Sequence, residues 1–388
     1  MSTIDADHFP LGFKVSDRQT DSAFLAGHEG HETFKVEARQ MHGHQKEALL
    51  TEGETGTVWR LTSDEGLHLK GTDLAPFPLG FFNAGIQGEI INTIVCTAQQ
   101  QSIELERIEL KLVNHYWLTG SFVLGTGQGH SEPTDIDIQI QSQAPQDKVA
   151  AVVKAALEKT APLNLLRNPL VNTFAIYLNG VRRKVVNLHD SPPAPVADPF
   201  LVHTKAPRPL KAAIDSSVIE KLNTLVEGDL QMAPTGTTSK IIRDVFGESV
   251  WSAGQKFSTA NSWLGVPGTT HFAYRMDVGG AGHFPTGVGL ISAGITFCFM
   301  TQLSRYIENM KMAIDGIRVV QHSPYARDEL SAKALPIDTH LFLNGSATEE
   351  VCTQLLSIAE RTCYLHVTAS KELQPLIGVK LNGYPMSL

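Results

Sequence analysis

Two long apolar runs in the chain begin and develop alike. FPLGFFNAGIQGEIINTIV starts at Phe77, and FPTGVGLISAGITFCFMTQL starts at Phe284. After a two-residue slip they share Gly-x-x-x-Ala-Gly-Ile, at Gly80 to Ile86 and at Gly289 to Ile295. Each predicts a long, mostly buried helix. The most apolar stretch, Val288 to Met300, contains Ser, Gly and Thr and falls short of the roughly 18 residues a membrane span needs, so it reads as a core helix.

The parallel continues downstream. ELERIELKLVNHYW from Glu104 and AIDGIRVVQHSPYAR from Ala313 each predict an edge strand after the helix. EPTDIDIQIQ and ALPIDTHLFLNG each follow a proline with alternating apolar residues, the period of a half-buried strand. DKVAAVVKAALEKTA and EEVCTQLLSIAERTC predict a second helix. Both series close on an apolar strand ending in Leu-Asn-Gly, at Leu178 to Gly180 and Leu381 to Gly383. A shared order of helix, strands, helix and strand predicts two fused copies of one α+β unit. The expected organisation is an N-terminal extension over 1–30, a first unit over 31–190, a Pro-rich connector over 191–213 and a second unit over 214–388. Prolines in NLHDSPPAPVADPFLVHTKAPRPLK disfavour helix and interior strand, which makes the connector semi-rigid.

Composition narrows the partners. The 388 residues are 42% hydrophobic and 19% charged, enough for a large buried core, and the net charge of -8 argues against nucleic acid and anionic lipid as partners. The N-terminus lacks a basic segment followed by an apolar run, so it does not read as a secretory signal. Four cysteines, Cys96, Cys298, Cys352 and Cys363, are too few for a disulfide scaffold. The expected setting is the reducing cytoplasm, where a cysteine pair is more often catalytic or inert than structural. GTGQG and VGGAG fit no phosphate loop and read as hairpin turns.

The element order resembles the OsmC/Ohr family, in which two subunits intertwine and the active sites lie between them. The resemblance centres on Ala-Gly-Ile-Thr-Phe-Cys-Phe-Met-Thr-Gln-Leu, where Cys298 precedes Phe and stands five residues before Leu303, similar to the family's Cys-Phe-x-x-x-Leu. Thr-Cys-Tyr-Leu then places Cys363 near the end of the second helix; 363 − 298 gives a separation of 65 residues. The resemblance implies an α+β fold of two units, each with long helices on a curved antiparallel sheet, joined as an intrachain pseudo-dimer. It implies Cys298 as peroxidatic thiol and Cys363 as resolving thiol. The first copy departs, with Glu89 opposite Cys298 and Ala161 opposite Cys363. The family's Glu, about ten residues before the cysteine, falls near Val288 or Leu79, and His44 stands near the place of its hairpin Arg in VEARQMHGHQKEA. The family's Arg–Glu clamp is therefore missing at those positions.

The candidate chemistry rests on Cys298, Cys363, His44 and Glu89. A thiol reacts as its thiolate, and a lone buried cysteine is inert. Cys363 either resolves a sulfenic acid at Cys298 or is a helix-end core residue. His44, with His42 in the same turn-like HGHQK, either activates the cysteine or belongs to a polar hairpin. Glu89, on an apolar helix, is either a general base or a paired structural carboxylate. His283 and His366 are acid–base candidates with the same structural alternative. His28 and His31 in HEGH lack the Cys or paired carboxylates of a metal site, so no metal and no cofactor is expected. The leading expectation is a cysteine-based peroxidase for small organic hydroperoxides that draws on a thiol reductant. The alternatives are a hydrolase or other carbonyl-directed enzyme using Cys298, His44 and Glu89, and a small-ligand-binding protein. No nucleic-acid or membrane partner is expected, and further homo-oligomerisation stays open.

Overall fold

Strict alternation of exposed and buried residues along Asp135–Gln141 places the apolar side chains of that strand on one side of its sheet. The computed structural model describes residues 3–15, 31–53, 55–121, 124–192, 196–204, 207–209, 217–230, 232, 240–280, 282–327 and 332–388. Its strands are β1 (Gly12–Lys14), β2 (His31–Gln40), β3 (Lys46–Thr51), β4 (Val58–Ser63), β5 (Arg107–Thr119), β6 (Gln128–Ser131), β7 (Asp135–Gln141), β8 (Thr173–Leu178), β9 (Val181–Arg183), β10 (His189–Asp190), β11 (Ile219–Leu225), β12 (Ile241–Ser252), β13 (Phe257–Leu264), β14 (Thr270–Asp277), β15 (Ile314–Arg327), β16 (Ala332–Ala334), β17 (Asp338–Gly345), β18 (Leu376–Leu381) and β19 (Tyr384–Pro385). The helices are α1 (Ile4–Asp7), α2 (Pro78–Gln100), α3 (Gln146–Lys159), α4 (Ala161–Arg167), α5 (Gly287–Met310), α6 (Glu349–Thr362) and α7 (Tyr364–Ala369).

This is a mixed α+β protein with two sheets, each built from strands of both halves of the chain. One runs β1-β4-β3-β2-β15-β17-β8-β10, and the other runs β11-β14-β13-β12-β5-β7-β18-β19. The N-terminal meander thus ends on β15, and the meander of the second half ends on β5. β8 lies parallel to β17, and β18 lies parallel to β7. The expectation of edge strands from Glu104 and Ala313 is corrected here. β5 and β15 each have a strand on both sides, because a strand from the other half covers the free edge that the local sequence leaves open. Both Leu-Asn-Gly endings run from their strands into tight turns. Asn179 and Gly180, and Asn382 and Gly383, all have positive φ, from 50° to 86°, the geometry that Asn-Gly supplies most readily between antiparallel strands. VGGAG is different from its expected reading, since it lies between β14 and α5 rather than in a hairpin.

Two helices fill the space between the sheets. α2 packs on β12, β13 and β5, α5 packs on β2 and β15, and the two helices cross each other. Glycines permit the close crossing. A methyl at Gly85 would lie 2.5 Å from the Gly287 carbonyl oxygen, and one at Gly294 would lie 3.0 Å from that of Pro78. Residues 85 and 294 are 209 positions apart, as are 78 and 287, so each contact repeats the other with the halves exchanged. Eighteen residues of α5 are apolar enough to cross a membrane by composition, and all of that window is buried inside the protein. The helix starts at a polar anchor. Glu52 Oε1 accepts from the Thr286 backbone N–H and hydroxyl, both at 2.7 Å, and Glu52 Oε2 accepts from Trp59 Nε1 at 2.9 Å.

Candidate active site

Helical spacing brings four non-aliphatic residues of α5 to one face. Cys298, Thr301, Gln302 and Arg305 stand at i, i+3, i+4 and i+7 and line one side of a small cavity. Phe77, Pro78 and Leu79, at the start of α2, form another wall, and Arg243 and Ile241 of β12 come from the second sheet. The loop after β4 closes the cavity with Glu65, His68 and Leu69. Asp64 holds that loop in shape: its carboxylate accepts from the backbone N–H of Glu65, Thr72 and Leu74 and from the Thr72 hydroxyl.

Beside this cavity lies a buried charge network. Alternation along β3 turns Lys46, Ala48 and Leu50 toward the helices, and Lys46 is fully buried. Its Nζ donates to the His44 carbonyl at 2.7 Å and stands 3.9 Å from Glu65 Oε1. The Thr301 hydroxyl donates to the same carboxylate oxygen at 2.5 Å. Burial lowers the Lys46 pKa, against the pull of Glu65, Asp64 and the Cys298 sulfur. Burial raises that of Glu65, while Lys46 and Thr301 hold it back. Burial also lowers the pKa of both Arg243 and Arg305, and Arg243 lowers Arg305 further by repulsion. Arg243 and Arg305 thus line the cavity with Glu65, and Lys46 lies buried beside that carboxylate.

The two thiols meet. Cys298 is 2% exposed and Cys363, at the junction of α6 and α7, is fully buried. Burial pushes the Cys363 thiol well up, and its hydrogen bond to Cys298 pushes it further. Cys363 is thus a protonated thiol whose S–H faces the Cys298 sulfur. His366, three residues on, sets Nδ1 3.3 Å from the Cys363 sulfur. Its ring is enclosed by Phe174 and Phe299, and burial brings its pKa down to about 3. Tyr364 reaches the same cavity, and burial raises its pKa to about 12 despite Arg243 and Arg305.

His44 and Glu89 are not brought to Cys298. The His44 ring is absent from the cavity wall and turns toward Glu308, at 3.7 Å, near the far end of α5. Burial, Lys46, Arg305 and Lys70 bring its pKa to about 3, far too low for it to take a proton from a thiol at neutral pH. Its contribution to the site is the carbonyl that holds Lys46. Glu89 lies against Gly287 at the start of α5. Eleven residues of helix, roughly 16 Å, separate that point from Cys298. His42 and His283 are exposed, and His28 lies outside the described residues.

Sequence reasoning missed Lys46, Glu65, His68, Arg243 and Arg305. A Cys, Thr, Gln and Arg on one face of an otherwise apolar helix was the available signal for Arg305. His68 is 1% exposed, and neither ring nitrogen has a hydrogen-bond partner among the described residues.

No protein-family profile matches the chain, and no curated protein matches it. Among solved structures, an OsmC-like hydroperoxide resistance protein from Jannaschia sp. CCS1 is similar over 38% of this chain and 99% of its own length, with 19% identity and a TM-score of 0.25. Similarity at that level leaves the chemistry of this chain to be argued from its own residues.

Proposed function

We propose that the protein is a two-cysteine peroxidase that reduces small organic hydroperoxides at the cavity floored by Cys298. The observation that carries this reading is the contact of two buried thiols at a cavity lined by Arg243 and Arg305, with Lys46 buried beside it. The Cys298 thiolate attacks the outer peroxide oxygen. An S–O bond forms, the O–O bond breaks, and the alkoxide leaves and takes up a proton. An anion on sulfur and the departing oxygen both face cationic groups there, in surroundings that exclude most water. His68 supports the leaving oxygen, because its ring nitrogens sit at the wall with no protein partner. Cys363 then attacks the sulfenic acid, a disulfide forms and water leaves. An external dithiol supplies two electrons to restore both thiols. In this reading Glu65 and the arginines do the work of the Arg–Glu clamp missing at Val288 and Leu79.

The same reading treats the chain as two copies of one unit paired as a pseudo-dimer. Support comes from the exchanged strand orders of the two sheets and from the helix contacts that repeat at 209 positions. The first half then holds Glu89 where the second holds Cys298, which leaves one thiol site per chain.

A Cys363→Ser variant separates this reading from hydrolysis by Cys298. With a dithiol reductant, steady-state hydroperoxide turnover is expected to fall at least about 10²-fold, while a single turnover still yields a trappable sulfenic acid at Cys298. Unchanged steady-state turnover would reject Cys363 as resolver.

A further inference from the structure

The outer face of the first sheet carries a second cluster, which shares no residue with the cavity at Cys298. His322 on β15 lies directly across from Asp338 on β17, and His340 follows Asp338 by two residues, so all three point to the same side of the sheet. One ligand-type atom from each lies within 4.8 Å of the other two. His340 Nε2 is 2.8 Å from Asp338 Oδ2, and His322 Nδ1 is 3.9 Å from that oxygen. We propose that His322, Asp338 and His340 form a mononuclear site for a divalent transition-metal ion of the zinc class.

Several features support a ligand set rather than a chance cluster. The Thr173 hydroxyl donates to Asp338 Oδ1 at 2.7 Å, which fixes the carboxylate with Oδ2 toward the imidazoles. The Tyr177 hydroxyl lies 3.4 Å from His340 Nδ1, so an outer partner holds the ring while Nε2 faces the carboxylate. Such partners orient metal-binding histidines and carboxylates. Zn–N and Zn–O bonds are about 2.0–2.2 Å, which places tetrahedral ligands roughly 3.3–3.5 Å apart. The distances of 2.8 and 3.9 Å bracket that spacing, so small side-chain rotations admit an ion. Ser191 Oγ, 3.3 Å from His340 Nε2, stands where it can hold a water in the fourth position. Lys35, opposite His322 on β2, is the cation that opposes the site, and Glu37 engages it at 3.1 Å. Two histidines and one carboxylate suit zinc or iron(II), and the absence of sulfur disfavours softer ions.

The test is zinc retention by the full chain, with metal content read by mass spectrometry after excess Zn²⁺ is removed. One zinc per chain is expected in the native protein and in Cys298→Ser. His322→Gln and His340→Gln are expected to weaken binding by about tenfold or more. His322 is the less buried of the two histidines, so its variant serves if His340→Gln misfolds. His115→Gln, a change at an Asp-flanked histidine of the other sheet, should keep the metal. Cobalt(II) in the same site should give a tetrahedral visible spectrum without thiolate charge transfer. The proposal is overturned if native protein retains no zinc, if His322→Gln binds as the native chain does, or if zinc is lost in Cys298→Ser instead.

Discussion

Cys298→Ser is expected to lower hydroperoxide turnover by about 10³-fold or more, the scale on which enzymes respond to loss of a nucleophile. A serine hydroxyl is close to the thiol in size, so the packing around the cavity is retained. It is not ionised near neutral pH, however, and it cannot become a sulfenic acid. Arg243 and Arg305 on the cavity wall, and Lys46 beside it, then lose the sulfur that the proposed reaction places among them. Stability should change by less than about 1 kcal/mol, as for a near-isosteric change. Peroxide consumption in a coupled dithiol assay and urea denaturation of the same preparation measure the two effects together. Turnover within tenfold of native would remove Cys298 from the chemistry.

Glu65→Ala is expected to cost about 3 kcal/mol of folding stability, because it leaves the Lys46 ammonium buried with its nearest carboxylate gone. Burial pushes both groups toward their neutral forms, and their mutual attraction opposes that push. With Glu65 absent, the largest attraction opposing that push at Lys46 is gone, and Asp64 and the Cys298 sulfur remain. The folded-state pKa of Lys46 then lies further below its unfolded value of about 10.4. Between those two values the unfolded chain binds more protons, so stability rises with pH. The deficit of Glu65→Ala should therefore shrink as pH rises toward about 10. Adding Lys46→Met should restore much of the loss, since the double variant buries no unpaired charge. Denaturant midpoints of the four proteins in this cycle check the claim; additive losses would contradict it.

The sequence made the local elements legible and the pairings between halves far less so. Apolar runs at Phe77 and Phe284 predict α2 and α5 because both helices are buried nearly all round. Asn-Gly marks the two closing turns because its backbone preference is local. The local sequence predicts β5 and β15 as edge strands because their partners, β12 and β2, come from more than 100 residues away. The cysteine pair was visible through motif and spacing. Glu89 enters through the likeness of the two halves and His44 through the family resemblance, and neither side chain reaches the cavity wall. Cys298, on α5, lies beside the start of α2, and Glu89, on α2, lies beside the start of α5, at opposite ends of the crossing. Lys46, Glu65 and Arg243 are charged residues on strands and a loop, and such residues ordinarily face water. Only the tertiary fold turns them inward.

The most direct measurement treats the native chain with one equivalent of a small alkyl hydroperoxide and maps the thiols by mass spectrometry. The expected result is loss of two free thiols per chain, with Cys298 and Cys363 joined in one cross-linked peptide and Cys96 and Cys352 unmodified. A chain that retains all four thiols, or that oxidises Cys96 first, would contradict the assignment of this cavity as a peroxidase site.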